Sequence, residues 1–152
     1  MDNSDLQKYI EKTGIDAEIL PMKGRVHSVE AASNELGVPP EQFIKTVVFV
    51  YGNNTILAIV LGTDRASSKR IKNALNIEAP RLATPEEALN MTGYAVGGTP
   101  PISIKNVHVL VDAKVTEMSE VVGGGGSDHH LLRIKPSDII ECTGADVVRV
   151  RK

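Results

Sequence analysis

The sequence contains no tryptophan, and aromatic residues make up only 3% of its 152 positions. That scarcity removes the stacking platforms on which single-stranded nucleic acids are held, since each base needs an aromatic face to lie on. Cysteine is reduced to Cys142 alone. It can form no internal disulfide, and its place in IIECTG, near an expected helix end, suits a buried structural thiol better than a nucleophile. No stretch approaches the roughly 20 apolar residues of a membrane helix. MDNSDLQKYIEK at the N-terminus is amphipathic and acidic, whereas a secretory signal is basic and then apolar, so the expected compartment is the cytoplasm. Charge of one sign is lacking too. A formal net charge of -2 and a pI of about 6.1 exclude a general nucleic-acid coat protein but leave room for local basic patches.

What remains is an ordinary globular composition, 41% hydrophobic and 24% charged with a mean hydropathy of -0.07, able to bury a core. Length and the absence of any repeat or composition break predict one domain over residues 1–152. Periodicity alternates between helix and strand. Leu6, Tyr9 and Ile10 predict a first helix closed by Gly14, and AEILPM a short strand. Ser28 caps a helix over residues 29–36 that Gly37 ends. FIKTVVFVY and TILAIVLG, joined by Gly52-Asn53-Asn54, form a hairpin. Helices follow at residues 67–75 and after Thr84-Pro85, a buried strand at VHVLVD, a strand at residues 131–135, a helix at 136–141 and a last strand at 147–150. The fold class is mixed α/β (α+β), because the hairpins argue against a purely parallel, doubly wound sheet.

Three places break the pattern. Lys45 shares a strand face with Val47, Phe49 and Tyr51 while the opposite face is also apolar, so its ammonium either snorkels to water from the strand's first residue or stands at a pocket mouth. GYAVGGTPPISI, residues 93–104, is a loop whose Gly97, Gly98 and Thr99 amides could stabilise a developing oxyanion, with Pro100 and Pro101 fixing its exit; a plain tight turn is the alternative. EVVGGGGSDHHLLRIK, residues 120–135, sets four glycines inside the fold, too close to the C-terminus for a linker between two cores. Glycines so placed bring backbone close to a neighbour or supply φ > 0. Strand phase after the run turns His130 inward with Leu132 and Ile134, and leaves His129 outside with Arg133 and Lys135. Sharper motifs fail. GGGGS lacks the lysine of a P-loop, and Asp128-His129-His130 lacks the further aspartates of a metal phosphoesterase, Asp112 being the lone candidate; no metal and no cofactor is expected.

Together, HSVEAASNELGVPPEQFIKTVVF, GYAVGGTPPISI and GGGGSDHHLLRIKPSDII resemble the YbaK/EbsC/ProX-like aminoacyl-tRNA deacylases, which are related to the editing domain of bacterial prolyl-tRNA synthetases. The resemblance runs from about Val26 to Ile140. It implies a curved, largely antiparallel, barrel-like sheet with surrounding helices. It also implies trans-editing: hydrolysis of the ester joining a wrong amino acid (alanyl, cysteinyl or prolyl) to a tRNA 3′ end, with the tRNA's own terminal hydroxyl assisting. Lys45 matches the family's lysine, and residues 97–101 match its loop around the amino acid. Gly125 and Gly126 are then expected to line the amino-acid pocket opposite that loop, with His130 at its edge. Arg65, Lys69, Arg70 and Lys72 form a cluster that could grip the acceptor stem, a solvated helix face being the commoner origin of such a run. Mischarged tRNA is the implied partner and prolyl-tRNA synthetase a second. A non-catalytic adaptor for aminoacyl-tRNA or a synthetase, and a binder of small nucleotide metabolites, stay open at this point, as does the oligomeric state.

Overall fold

Strand β3 (Asn54–Leu61), NTILAIVL, is buried at every position after its first, and its neighbours cover both of its faces. The computed structural model describes residues 1–26 and 28–152; His27, the first residue of the HSVEAAS motif, lies outside the described residues. β2 (Ile44–Tyr51) pairs antiparallel with β3 along its whole length. The turn between them is Gly52-Asn53, one residue shorter than the sequence suggests, because Asn54 enters the ladder opposite Tyr51. The two-residue β4 (Arg81–Leu82) adds to the outer edge of β2, while β5 (His108–Asp112) and β8 (Asp146–Val148) extend the other side in parallel. A second, antiparallel sheet has the order β1-β7-β6, built from β1 (Glu18–Pro21), β7 (His130–Ile134) and β6 (Val121–Gly124).

A parallel bridge between Phe43 and Val122 is where the two sheets meet. The mixed α/β class is as expected, whereas the strands form two sheets in contact and the expected barrel-like closure is not confirmed. Among the described residues β1 and β8 are not joined, and the outer edge of β2 is shared between β6 at one end and β4 at the other.

Helices begin where capping residues announce them. Asp2, Ser28, Ser67 and Thr84 each accept a first-turn N–H of α1 (Asn3–Thr13), α2 (Val29–Leu36), α3 (Ser68–Leu75) and α4 (Pro85–Thr92). Each such cap satisfies a donor that the helix leaves unpaired, worth about 1 kcal/mol. α5 (Pro136–Thr143) starts on proline instead, whose missing N–H costs nothing there. Among the described residues no helix is long and apolar enough to cross a membrane.

The main core lies between the sheets and α1, with Leu6, Ile10, Ile44, Val48, Leu57, Ile59, Val111 and Leu132 buried together. A second cluster, Phe49, Ile56, Ala58, Val60 and Ile71, seats α3 on the other face of β2 and β3. A third, Ala32, Phe43, Val122 and Leu131, lies beneath α2.

Two residues singled out in the sequence have structural roles. Asp112 is fully buried and accepts the N–H groups of Val150 (2.8 Å), Arg151 (3.0 Å) and Lys114 (3.0 Å) and the guanidinium of Arg151 (2.8 Å). Burial pushes its carboxyl up, but the donors outweigh it and hold the group below its usual range. Its lone pairs are thus committed to the C-terminal segment, and no group of three or more His, Cys, Asp or Glu among the described residues is placed to hold a metal ion. Cys142 is half-buried in the last turn of α5 against Tyr9. Burial raises its thiol, and burial with the Cys142 contact pushes the Tyr9 hydroxyl up to about 12, so neither ionises near neutrality.

Candidate functional site

Among the described residues the outer edge of β2 is open between β4 and β6, and a cleft of about 380 Å³ lies in that gap. Its floor is apolar, made by Phe43, Val47, Val48 and Leu131, and α2 contributes Val29 and Ala32. Leu82 and Val96 line it while remaining 62% and 60% exposed, which makes them its rim. Lys45 enters from β2, half-buried, and among the described residues no carboxylate lies within ion-pair distance of its ammonium. A cation beside apolar walls attracts negative charge more strongly than one in open water.

The 97–101 loop faces Lys45 only in part. Gly97 (φ 97°) and Thr99 line the cleft. Gly98 does not: its N–H donates to the Ala95 carbonyl at 3.1 Å, and its carbonyl accepts the Gly126 N–H at 2.8 Å, so its peptide groups serve the turn and the neighbouring hairpin. Pro100 is buried behind the loop and lines no part of the cleft.

The glycine run is split between a strand and a turn. Gly123 and Gly124 belong to β6 and form a wall of the cleft. At Gly124 a Cβ would overlap the Thr99 carbonyl, so only glycine lets this strand pass so close to the loop. Gly125 and Gly126, expected in the pocket, lie outside it. The Gly125 N–H closes the β6–β7 hairpin on the His130 carbonyl (3.1 Å), and Gly126 (φ 97°) packs on the backbone of Asn3.

His130 also falls away from the cleft. It shares a face with Leu132 and Ile134, but that face packs towards α1, beside Asn3, Ser4 and Gln7, and its Nδ1 lies 2.6 Å from Ser127 Oγ. The cleft is reached through the opposite face, by Leu131. That face is not left to solvent, because α2 covers Leu131 while Glu120 and Asp16 pair with Arg133. Gly126→Val is accordingly expected to lower the melting temperature by loosening α1, and His130→Ala to leave amino-acid preference in a deacylation assay unchanged. A changed preference in His130→Ala would place that ring in the site after all.

The Asp128-His129 pair is a latch. Their carbonyls accept the N–H groups of Val26 (2.6 Å) and Met22 (2.8 Å), and the Asp128 carboxylate, held low chiefly by His129, also pairs with Arg25 at 3.1 Å. The latch fixes the segment that carries Val26 to the cleft.

Arg65, Lys69, Arg70 and Lys72 are exposed outside the cleft. α3 lies on the sheet face to which Lys45 belongs, since Lys45 stands opposite Val60 of the α3 cluster. The C-terminal segment enlarges this basic surface in a way the sequence does not announce. Ala66 bridges to Arg151, Ser67 N–H donates to the Val150 carbonyl (2.7 Å) and Lys152 N–H to the Arg65 carbonyl (2.9 Å), which brings Arg149 and Lys152 beside the cluster.

A model of the family described as aminoacyl-tRNA editing domain matches residues 23–142. Curated relatives include the proline–tRNA ligase of Streptococcus thermophilus, 28% identical over 127 residues covering 82% of this chain and 20% of the ligase. The proline–tRNA ligase of Fervidobacterium nodosum is 30% identical over 110 residues, covering 72% of this chain and 19% of the ligase. The chain thus spans about a fifth of the length of these ligases. Among solved structures, a candidate trans-editing enzyme for prolyl tRNA synthetase superposes with a TM-score of 0.90 at 26% identity, covering 99% of this chain and 96% of that one. A hypothetical protein superposes equally well, with a TM-score of 0.90 at 29% identity and coverage of 97% and 99%.

Proposed function

The chain belongs to the aminoacyl-tRNA editing domain family, and from that premise we propose that it is a deacylase that hydrolyses the ester of mischarged aminoacyl-tRNA, with alanyl, cysteinyl or prolyl groups as substrates. One observation carries this reading: Lys45 meets Gly97 and Thr99, some fifty residues further along the chain, in a single small apolar cleft. The reaction asks little of a protein. Water adds to the ester carbonyl, the bond to the ribose oxygen breaks, the amino acid leaves as a carboxylate and the ribose hydroxyl regains a proton. Positioning and stabilisation of the charge developing on the carbonyl oxygen supply most of the rate. Lys45 is assigned that charge, and Gly97, Thr99 and the Gly123-Gly124 wall hold the acyl group. Such a cavity separates neighbouring amino acids by only about 10 to 200-fold per methylene, so an editing site complements the synthetic one by different exclusion rather than by sharper fit.

The tRNA is the partner in this reading, and prolyl-tRNA synthetase is the source of the error, as its ligases are the relatives. Arg65, Lys69, Arg70 and Lys72, with Arg149 and Lys152, are assigned to phosphates of the acceptor stem. Neutralising the first four is expected to weaken tRNA binding and to flatten the dependence of log K on log salt by about one for each phosphate that is no longer held. Hydrolysis of a minimal aminoacyl-nucleoside should change much less, and an unchanged slope would return these residues to a solvated helix face.

The experiment that tests the function is a panel of tRNA(Pro) and tRNA(Ala) charged with alanine, cysteine, proline or serine. Release above the spontaneous rate for at least one pair is expected. Binding without release across the panel would favour an adaptor, and binding of nucleotides that carry no amino acid a metabolite binder.

A further inference from the structure

The open edge of β2 holds a feature that neither side chains nor motifs reveal. Its odd-numbered residues turn their peptide groups to β3: the Phe43 carbonyl accepts the Gly62 N–H (2.7 Å) at one end, and Tyr51 closes on Asn54 across the two-residue turn at the other. Strand alternation sends the even-numbered residues outward, where the Val48 carbonyl accepts the Ala83 N–H at 2.9 Å. That outer edge is occupied at both ends. β4 pairs with Phe49 and Val50, and β6 meets the strand at the Phe43–Val122 bridge, which is not continued. Thr46 falls in the interval. Strand alternation turns its main-chain N–H and C=O away from β3, to the side of the cleft that it lines beside Lys45.

We propose that the main chain of Thr46 docks the aminoacyl group as though it were a residue of a neighbouring strand, the N–H donating to the ester carbonyl and the C=O accepting from the α-ammonium. This rests on the deacylase reading above. An α-aminoacyl ester carries its nitrogen and its carbonyl on one carbon, the arrangement with which opposed antiparallel residues exchange two hydrogen bonds. Recognition of this kind is independent of the side chain. It selects α-amino acids as a class and leaves their discrimination to the apolar walls. It also places the carbonyl oxygen between a fixed donor and the Lys45 ammonium, the arrangement that favours charge developing there.

Thr46→Pro tests it, because proline deletes an outward N–H of an edge strand without touching the ladder to β3. Thr46→Val controls for the side chain. A ring-free version, with the Thr46 amide replaced by a backbone ester, removes the same N–H should the proline variant fail to fold. The first readout is hydrolysis of alanyl-adenosine, relative to the deamino analogue propionyl-adenosine, each corrected for its spontaneous rate. The second is affinity for the non-hydrolysable 3′-alanylamido-3′-deoxyadenosine, which needs no turnover. Thr46→Val keeps the main-chain N–H and sets the side chain's own contribution, against which the N–H-deleted variants are read. Thr46→Pro or the backbone ester should lose roughly 10²-fold in alanyl ester hydrolysis and roughly tenfold in affinity for the amide, and the wild-type protein should prefer alanyl to propionyl ester. A folded N–H-deleted variant with wild-type affinity and rate would overturn the role of Thr46, as would equal handling of alanyl and propionyl groups. Absence of turnover in the wild-type protein, with the affinity loss still present, would count against the deacylase reading and not against the docking edge.

Discussion

Replacing Lys45 by alanine is expected to lower kcat/KM for deacylation by roughly 10²-fold or more, mainly through kcat, with the melting temperature unchanged or slightly raised. The ammonium is half-buried among apolar residues and has no acidic partner among the described residues. In the absence of substrate it contributes a desolvation cost without a compensating pair, so its removal relieves the folded state. In the transition state it meets the charge on the carbonyl oxygen, and that interaction disappears with it. Lys45→Arg should not restore the rate, since a planar fork on a longer lever cannot occupy the same point in a cleft of about 380 Å³. Kinetics and thermal melts on the same preparations check both halves. A folded Lys45→Ala protein with the wild-type rate would remove the lysine from the chemistry.

The second large effect is on stability. Asp112→Ala is expected to cost about 3 kcal/mol in denaturant unfolding, because it strands one buried and two part-buried N–H groups and the Arg151 guanidinium. The figure sits at the low end of what breaking a buried pair costs, as the Arg151 side chain is 26% exposed and water can reach it. The pH dependence has a definite sign. A carboxyl held below its ordinary value in the folded state binds protons more weakly there than in the unfolded chain. Its contribution is therefore complete above about pH 4 and disappears as pH falls through the lower folded value. The wild-type protein should lose this increment on acidification, and Asp112→Ala should show a correspondingly flatter acid limb. Equal acid sensitivity of the two proteins would mean that Asp112 is not the anchor of the C-terminal segment.

Capped helices and the central hairpin were legible in the sequence because their signals are local. Ser28 with Gly37, Ser67, and Thr84 with Pro85 mark their helix ends by hydrogen bonds within one turn. β6 was not, for glycine is depleted in strands, and half of this one is glycine held by pairing with β7. That is why the glycines expected in the pocket lie two positions from those that line it: composition locates the run but not the boundary between strand and turn. His130 shows a second limit. Alternation assigned it to a face shared with Leu132 and Ile134, but both faces of β7 are covered, and only the tertiary fold decides which of them meets the cleft. Arg149 and Lys152 join the basic surface through main-chain pairing of residues 66 and 151, a meeting of distant segments that no local signal announces. Thr46 looks unremarkable as a side chain. Its interest lies in an edge left open, a property of sheet topology.

The most direct test of the central claim is a multiple-turnover measurement with protein at a small fraction of the concentration of mischarged tRNA. If the cleft is a hydrolytic site, amino acid is released linearly in time to many equivalents per protein molecule, from at least one of the alanyl, cysteinyl or prolyl charges. Release that stops at or below one equivalent, or that never exceeds the spontaneous rate while the tRNA remains bound, would contradict it.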